Sequence, residues 1–212
     1  MPRIAGRPNA LPRVLILACG ALAREIRDVT VANGWDHVDM ECLPATLHNT
    51  PQDIPAAVEH RLNRAEGRYD RIMVGYADCG TGGLLDKVIE RHGVDRLPGA
   101  HCYEFFAGHD VFARLHEEEL GTFYLTDFLV KHFDRMVWAN LGLDRHPQLR
   151  DEYFGNYRRV VYLSQVRDPE LVRRAGDAAD RLGLEFEHRH VEYGEMAIEL
   201  GRFADNPPGE AA

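Results

Sequence analysis

Residues 13–20 read RVLILACG, a short run of apolar side chains that ends in a cysteine and a glycine. An apolar run of this length, bounded by a turn residue, predicts a buried β-strand. Residues 21–33 then place apolar side chains at helical spacing, and Asn33-Gly34 is typical of a helix end. This part of the chain is therefore predicted to be a β-turn-α unit, with Cys19 at the exit of the strand.

The same order returns in the next part of the chain, with a predicted strand at residues 71–75, a loop that contains Cys79, and a predicted helix at residues 84–92. The other predicted strands lie at residues 37–43, 96–100, 121–125, 159–163 and 185–190. The other predicted helices lie at residues 55–66, 127–141 and 169–182. Strands that alternate with helices predict an α/β fold, with a single, mostly parallel sheet flanked by helices on both faces in a Rossmann-like arrangement.

The size and composition of the chain fit one globular domain. It has 212 residues, of which 45% are hydrophobic and 28% are charged. A chain of this length can bury a sizeable core, and this composition argues against disorder. We expect a single domain at residues 13–204, between a flexible leader at 1–12 and a flexible tail at 205–212.

The charge and hydropathy of the chain exclude two classes of partner. A net charge of −9 argues against non-specific binding to nucleic acid, which depends on clustered Lys and Arg. The apolar runs are far shorter than the roughly 20 residues that cross a membrane, and the N-terminus lacks the apolar core of a signal peptide. We expect a cytoplasmic protein, and a homodimer is compatible with its composition.

Three of the four cysteines follow predicted strands, namely Cys19, Cys79 and Cys102. Ligands of open parallel sheets bind at the carboxyl ends of the strands. Thiolates are the ligands preferred by zinc, copper(I) and iron–sulfur clusters, so three converging thiolates predict a soft-metal centre. The alternative is that the three thiols are unrelated. Cys42 lies within an alternating strand and is interpreted as a small buried hydrophobe.

A [4Fe-4S] cluster is the metal centre that we expect at these three cysteines, with zinc as the alternative. Three protein thiolates would leave one iron free to bind a substrate as a Lewis acid. No Cys-x-x-Cys pair is present, so the spacing does not indicate a local zinc knuckle.

The loop at residues 78–83, DCGTGG, precedes a predicted helix and is a candidate site for an anionic substrate. Glycines allow backbone N–H groups to approach a phosphate or a carboxylate at the start of a helix. The loop matches neither common nucleotide fingerprint, and a helix cap is the alternative role of its threonine. The residues predicted to bind the cofactor or the anion are Gly20, Gly80, Thr81, Gly82 and Gly83.

Three residues near the cysteines are candidates for proton transfer: His101, Glu25 and Glu104. His101 has two further interpretations. It would serve as a fourth metal ligand, or it would lower the pKa of Cys102 and so activate a nucleophilic thiol.

The cysteine segments together resemble the DUF1638 family. The resemblance rests on LACGAL at residues 17–22, GYADCG at 75–80, GGL at 82–84, PGAHCYEFFAG at 98–108 and GTFYLT at 121–126. The family's motif cysteines correspond to Cys19, Cys79 and Cys102. The resemblance implies a context of one-carbon metabolism, beside corrinoid-dependent methyl transfer, with a corrinoid protein or a methyltransferase as the partner.

The sequence leads to three hypotheses about function. The first is an iron–sulfur lyase or transferase, or an accessory protein, that binds a small anionic substrate at the open iron. The second is a non-catalytic zinc-binding carrier module for a methyltransferase. The third is a metal-free enzyme with a cysteine nucleophile.

Overall fold

The computed structural model describes residues 12–205, and these residues contain seven β-strands. The strands are β1 (Val14–Cys19), β2 (Val38–Leu43), β3 (Arg71–Gly75), β4 (Asp95–Arg96), β5 (Thr122–Thr126), β6 (Arg159–Ser164) and β7 (Glu185–His190). Each strand pair within this part of the chain is parallel, which confirms the predicted α/β class. Apart from residues 12 and 205, the predicted leader and tail lie outside the described residues.

The strands form two sheets rather than the single sheet that was predicted. One sheet has the order β2-β1-β3-β4, and the other has the order β5-β6-β7. The predicted fourth strand is reduced to two residues, which pair with β3. The next strand, β5, pairs with β6 instead. Local apolar patterns specify strands, but they do not specify which strands pair, and this is why the sequence did not reveal the division.

Nine α-helices connect or cover the strands of the described chain. They are α1 (Ala23–Ala32), α2 (Ile54–Ala65), α3 (Leu84–His92), α4 (Cys102–Ala107), α5 (His109–Glu118), α6 (Asp127–Lys131), α7 (Leu149–Phe154), α8 (Pro169–Leu182) and α9 (Gly194–Asp205). The helices predicted at 84–92 and 169–182 are confirmed. The helix predicted at 127–141 is interrupted after Lys131 and continues as a π-helical turn, Asp134–Trp138. None of these helices is long and apolar enough to cross a membrane.

Strand β1 is covered on both faces of the first sheet, and residues 14–18 are fully buried. Val14, Ile16 and Ala18 belong to an apolar cluster on one face, whereas Leu17 belongs to a second cluster that includes residues of α2 and α3. The near-continuous apolar sequence of β1 is typical of a parallel strand that is covered on both sides. The second sheet is covered by α8 on one face and by Leu115 of α5 on the other.

Helix α9 returns to the first sheet at the end of the described chain, although the sequence analysis did not predict this helix. Its side chains Met196, Leu200 and Phe203 are buried in the same cluster as Val14. Gly194, at the start of α9, has a φ of +50°, and a Cβ there would collide with the carbonyl oxygens at the end of α4. Glycine is therefore required where α9 meets α4.

Because α9 packs into the core of the first sheet, we predict a large loss of stability for Leu200→Ala. Removal of this buried side chain leaves a cavity in the first core and should lower the free energy of unfolding by about 2–5 kcal/mol. Ile198→Ala on the same helix is the matched control, since Ile198 is 54% exposed and should change stability by less than about 0.5 kcal/mol. Denaturant unfolding measures both values, and equal effects would contradict this packing.

Candidate functional site

The carboxyl ends of β1 and β5 meet between the two sheets. The short 3₁₀ turn Gly20–Leu22 follows β1, and α6 follows β5 directly. Ala21 of the turn and Phe128 of α6 line the same cavities, and an ion pair joins Arg24 to Asp127 across the junction. Residues at the strand exits of the two sheets are thereby placed at a common site.

The three predicted cysteines pack against one buried apolar cluster. Cys19 ends β1, Cys79 lies in the loop after β3, and Cys102 is the first residue of α4. All three are partly buried, and all three contact the cluster that contains Ile16. The structure therefore packs thiols from three separate strand exits against one apolar cluster.

Electrostatic interactions couple Cys19 to Cys79 and Cys102, and also to Cys42 on the neighbouring strand β2. Burial raises the pKa of Cys19. Burial, followed by the Cys19 thiol, raises the pKa of Cys79 to about 12. Burial, followed by Cys79 and Cys19, raises the pKa of Cys102 well above its ordinary value. Each thiol therefore favours its neutral form in the absence of a compensating cation.

The backbone ties the loop of Cys79 to the segment before Cys102. Cys79 has a φ of +52°, which is uncommon for a residue other than glycine. Its N–H donates to the carbonyl of Ala100 at 2.8 Å, and the N–H of Asp78 donates to the carbonyl of Gly99 at 3.1 Å. These two hydrogen bonds hold the unusual backbone conformation and fix the position of Cys79 relative to α4.

The spacing of these side chains does not form a ready set of metal ligands. Within residues 12–205, no group of three or more His, Cys, Asp or Glu side chains is arranged to hold a metal ion. The chemistry of the three thiols still suits a soft cation, because a bound metal would offset the burial of thiolates. Cys42 is exposed on β2, so its interpretation as a buried hydrophobe was wrong.

The predicted anion site at residues 80–83 is filled by a carboxylate of the chain itself. Asp78 Oδ1 accepts hydrogen bonds from Thr81 Oγ1 at 2.6 Å and from the N–H of Gly83 at 2.9 Å, and Oδ2 accepts from the N–H of Gly82 at 3.2 Å. Burial would raise the pKa of Asp78, but these bonds and one from Gly80 outweigh it and lower the pKa. The loop is therefore a closed turn before α3.

Gly20, the other predicted cofactor contact, has a packing role. A Cβ at this position would lie 2.8 Å from the carbonyl oxygen of Leu43 and 3.2 Å from the nitrogen of Ala45. These distances are too short for a side chain, so glycine lets the exit of β1 pack against the exit of β2.

Two predicted proton-transfer residues, Glu104 and His101, have other surroundings. Glu104 accepts hydrogen bonds from the N–H of Ala100 at 2.9 Å and from His109 Nδ1 at 2.6 Å. Burial alone would raise the pKa of Glu104, but these hydrogen bonds outweigh it and lower the pKa. His101 is exposed, and its ring lies 6.0 Å from that of Tyr103. Burial lowers the pKa of His48, and the charge of His101 adds to this effect. His48 and Cys102 line the same small cavity.

The third predicted proton-transfer residue, Glu25, lies at the junction of the sheets and is only 3% exposed. It lines a cavity together with Arg24 and Lys131. Burial raises the pKa of Glu25 and Asp127 adds to this effect, whereas Arg24 and Lys131 oppose it. A carboxyl group in these surroundings can retain a proton closer to neutral pH than a solvated glutamate.

The sequence analysis missed a second buried carboxylate, Asp127, which is 1% exposed. Its Oδ1 accepts hydrogen bonds from the Tyr162 hydroxyl at 2.7 Å and from the N–H of Gln165 at 3.0 Å. Its Oδ2 makes no hydrogen bond within the described chain and lies 3.8 Å from Arg24 Nη1. Asp127 directly follows β5, so its position at a strand exit is the signal that could have identified it.

A second polar cluster extends this network along the exit of the second sheet. Ser164 is the last residue of β6, and its Oγ lies 2.9 Å from His188 Nε2 and 3.0 Å from His190 Nδ1. The His188 ring stacks on Tyr162, with 5.3 Å between the ring centroids. The exits of the second sheet are thus polar, whereas those of the first carry thiols.

Comparison with known proteins gives one family. The family model described as "Protein of unknown function (DUF1638)" matches residues 42–198. The matched segment includes Cys79, Cys102 and Asp127 but not Cys19 or Glu25. No curated protein matches the chain.

The burial of Glu25 predicts a pH-dependent effect of Glu25→Gln. Because the folded chain raises the pKa of Glu25, the stabilisation from this group is present below its unfolded pKa and is lost as pH rises through its folded pKa. The variant cannot ionise, so its stability relative to the wild type should increase from pH 4 to pH 8. Thermal unfolding across this range measures the difference.

Glu66→Gln is the control for this experiment, because Glu66 is exposed at the end of α2. The stability of this variant relative to the wild type should be nearly constant across the same pH range. A difference for Glu25→Gln that is independent of pH would contradict the burial of an ionisable carboxyl group at the junction.

Proposed function

The chain belongs to the DUF1638 family, and we propose that it is a metal-centre protein in which Cys19, Cys79 and Cys102 bind a [4Fe-4S] cluster. The observation that carries this proposal is that three thiols from three separate elements contact one buried apolar cluster, where Cys19 adds to the burial that raises the pKa of Cys79, and both add to the burial that raises the pKa of Cys102. A site of this kind exists only in the folded chain, which is why no local Cys-x-x-Cys spacing accompanies it.

The electrostatics of the three thiols support a cationic ligand. The neutral thiols tolerate burial, whereas three thiolates in the same place would repel one another and be poorly solvated. A soft metal centre supplies the compensating charge, and its binding releases the thiol protons. The thiols are therefore suited to metal binding by their mutual proximity, even though each is weakly acidic in the protein alone.

Tyr76 offers a hydrogen-bond donor to the same site. Its hydroxyl is buried without a hydrogen-bond partner of good geometry in the described chain. Burial and the Cys19 thiol raise the pKa of Tyr76 far above its ordinary value, so the hydroxyl keeps its proton. Donors directed at coordinating sulfur stabilise thiolates and tune the metal, and Tyr76 is placed to act in this way towards Cys19.

With three protein thiolates, a bound cluster would supply one iron that acts as a Lewis acid for a small anionic substrate. The chain's own residues would shield this chemistry from water. Leu22, Leu129 and Met136 enclose a cavity of about 20 Å³ that reaches Cys102 and His48. A cavity of this size holds about one water molecule.

Zinc is a second candidate metal, and the size of this cavity favours it. A single ion needs less room beside Cys102 than a cluster does, and thiolates with one further ligand are a common zinc environment. In that case the chain is a non-catalytic carrier. The metal-free nucleophile is not part of the proposal, because burial and the other thiols raise the pKa of Cys102.

We extend the proposal to a one-carbon context, in which an iron–sulfur lyase or transferase, or an accessory protein, acts with a corrinoid protein or a methyltransferase. This step is supported by the resemblance of the cysteine segments alone. A cytoplasmic location is part of the same proposal, since a reducing compartment keeps the four cysteines as free thiols.

The proposal predicts that protein purified without oxygen contains about four irons and four sulfides per chain and absorbs near ~400 nm. Cys19→Ser, Cys79→Ser and Cys102→Ser should each lose most of this iron and absorbance, because each removes one of the thiolates. Metal and acid-labile sulfide analysis, with absorption spectra, measures the result.

Cys42→Ser is the matched control, because Cys42 is a free cysteine that is exposed on β2. It should keep the iron content of the wild type. One zinc per chain and no colour would favour the second candidate. Iron and sulfide retained in all three site variants, or no metal of either kind in the wild type, would contradict the proposal.

A further inference from the structure

A cavity of about 360 Å³ lies at the junction of the two sheets. Gly20, Arg24 and Glu25 line it from the side of the first sheet, and Phe128, Lys131 and His132 line it from α6 and the residue after it. The cavity is therefore built by both halves of the described chain at the exits of β1 and β5. This is the edge of a parallel sheet at which ligands bind.

Lys131 supplies a cation to this cavity, and its charge acts on the Glu25 carboxyl group across it. It is one of the two lysines of the chain and is partly buried at the end of α6. Its ammonium group makes no hydrogen bond and no ion pair with any residue in the range 12–205. A partly buried ammonium group in this state is available to an anionic ligand.

Arg24 also has donors available on the same wall. Its nearest ion-pair distances are 3.6 Å to Asp28 Oδ2 and 3.8 Å to Asp127 Oδ2, both too long for hydrogen bonds. Asp127 Oδ2 is itself buried without a hydrogen-bond partner in the described chain. The two carboxylates hold the guanidinium by charge and leave its N–H groups free to donate to a ligand.

We propose that this cavity binds an oxyanion, the carboxylate or phosphate of a small molecule, between Arg24 and Lys131, with Glu25 as a hydrogen-bond donor to it. Asp127 is a positioning residue, because its carboxylate lies behind Arg24 and is fixed by Tyr162 and Gln165. This cavity, rather than the loop at residues 80–83, is the candidate anion site, because the donors of that loop are already bonded to Asp78.

Glu25 distinguishes this cavity from a simple cationic patch. An ionised carboxylate beside two cations would repel an oxyanion, whereas a protonated carboxyl group would donate a hydrogen bond to it. The burial of Glu25 favours the protonated form. The charged groups around it are Arg24 on its own helix, and Asp127 and Lys131 on α6.

The cavity is next to the cysteine site. Ala21 and Phe128 line both this cavity and the smaller cavity that reaches Cys102. An oxyanion held at Arg24 and Lys131 would therefore direct the rest of a small molecule past Phe128 towards Cys102. This directional step rests on the proposed metal centre, but anion binding itself does not.

The test is a titration of the full chain with inorganic phosphate and, separately, with acetate, at constant ionic strength and followed by the backbone amide signals of α6. We expect the backbone amide signal of Lys131 to shift in a saturable manner. Comparison of phosphate with acetate shows which class of oxyanion, phosphate or carboxylate, binds more tightly. Lys131→Gln should weaken binding at least about tenfold, as expected for the loss of one charge-assisted contact. Glu25→Gln keeps a neutral donor and should retain binding.

Lys87→Gln is the matched control, since Lys87 is the other lysine of the chain and is exposed on α3, outside the cavity. It should bind as the wild type does, and melting temperatures confirm that each variant is folded. Failure of both probes to bind, or equal binding by wild type and Lys131→Gln, would overturn the proposal. Metal content measured on the same samples separates this result from failure of the metal centre.

Discussion

The parallel pairing of β1 with β2 and β3 is the constraint on which the site depends. Parallel strands place all their carboxyl ends at one edge of a sheet, and the enclosed, apolar β1 fixes that edge at Cys19. The loop after β3 must then leave from the same edge and carries Cys79 with it. The second sheet follows the same rule, and its exits carry Asp127 and Ser164. The chemistry of the molecule is therefore concentrated where the two sets of strand ends meet.

Helix α4 connects the two halves of this arrangement. It begins with Cys102, its buried Phe105 and Phe106 belong to the core of the first sheet, and Tyr103 stacks on Tyr124 of the second sheet with 5.4 Å between ring centroids. The helix is thus held from both sides, which fixes its first residue relative to the other two thiols. The site consequently has a thiol-rich side and a carboxylate- and cation-rich side, in contact through the shared wall of Ala21 and Phe128.

The sequence predicts the individual elements of this fold better than their assembly. The bounds of β3, α3 and α8 were predicted correctly because each has a strong local pattern, and the bounds of the more polar β7 also match. The division into two sheets and the return of α9 depend on long-range packing, which no local pattern encodes. The strand-exit rule found the cysteines, and the same rule applied to Asp127 would have found the second carboxylate. The prediction for the loop at 80–83 was wrong because Asp78, just before it, accepts the hydrogen bonds from the N–H groups that the glycines were expected to offer to a ligand.

The proposed chemistry requires that Cys19, Cys79 and Cys102 share one site. The most direct measurement is the anomalous scattering of crystals grown from protein purified without oxygen, with data collected at the iron edge and at a wavelength sensitive to sulfur. We expect one metal peak, with the sulfurs of these three residues at about 2.3 Å from metal atoms, the length of a metal–thiolate bond, and with the sulfur of Cys42 elsewhere. Three sulfurs at separate positions, without a common metal peak, would contradict it.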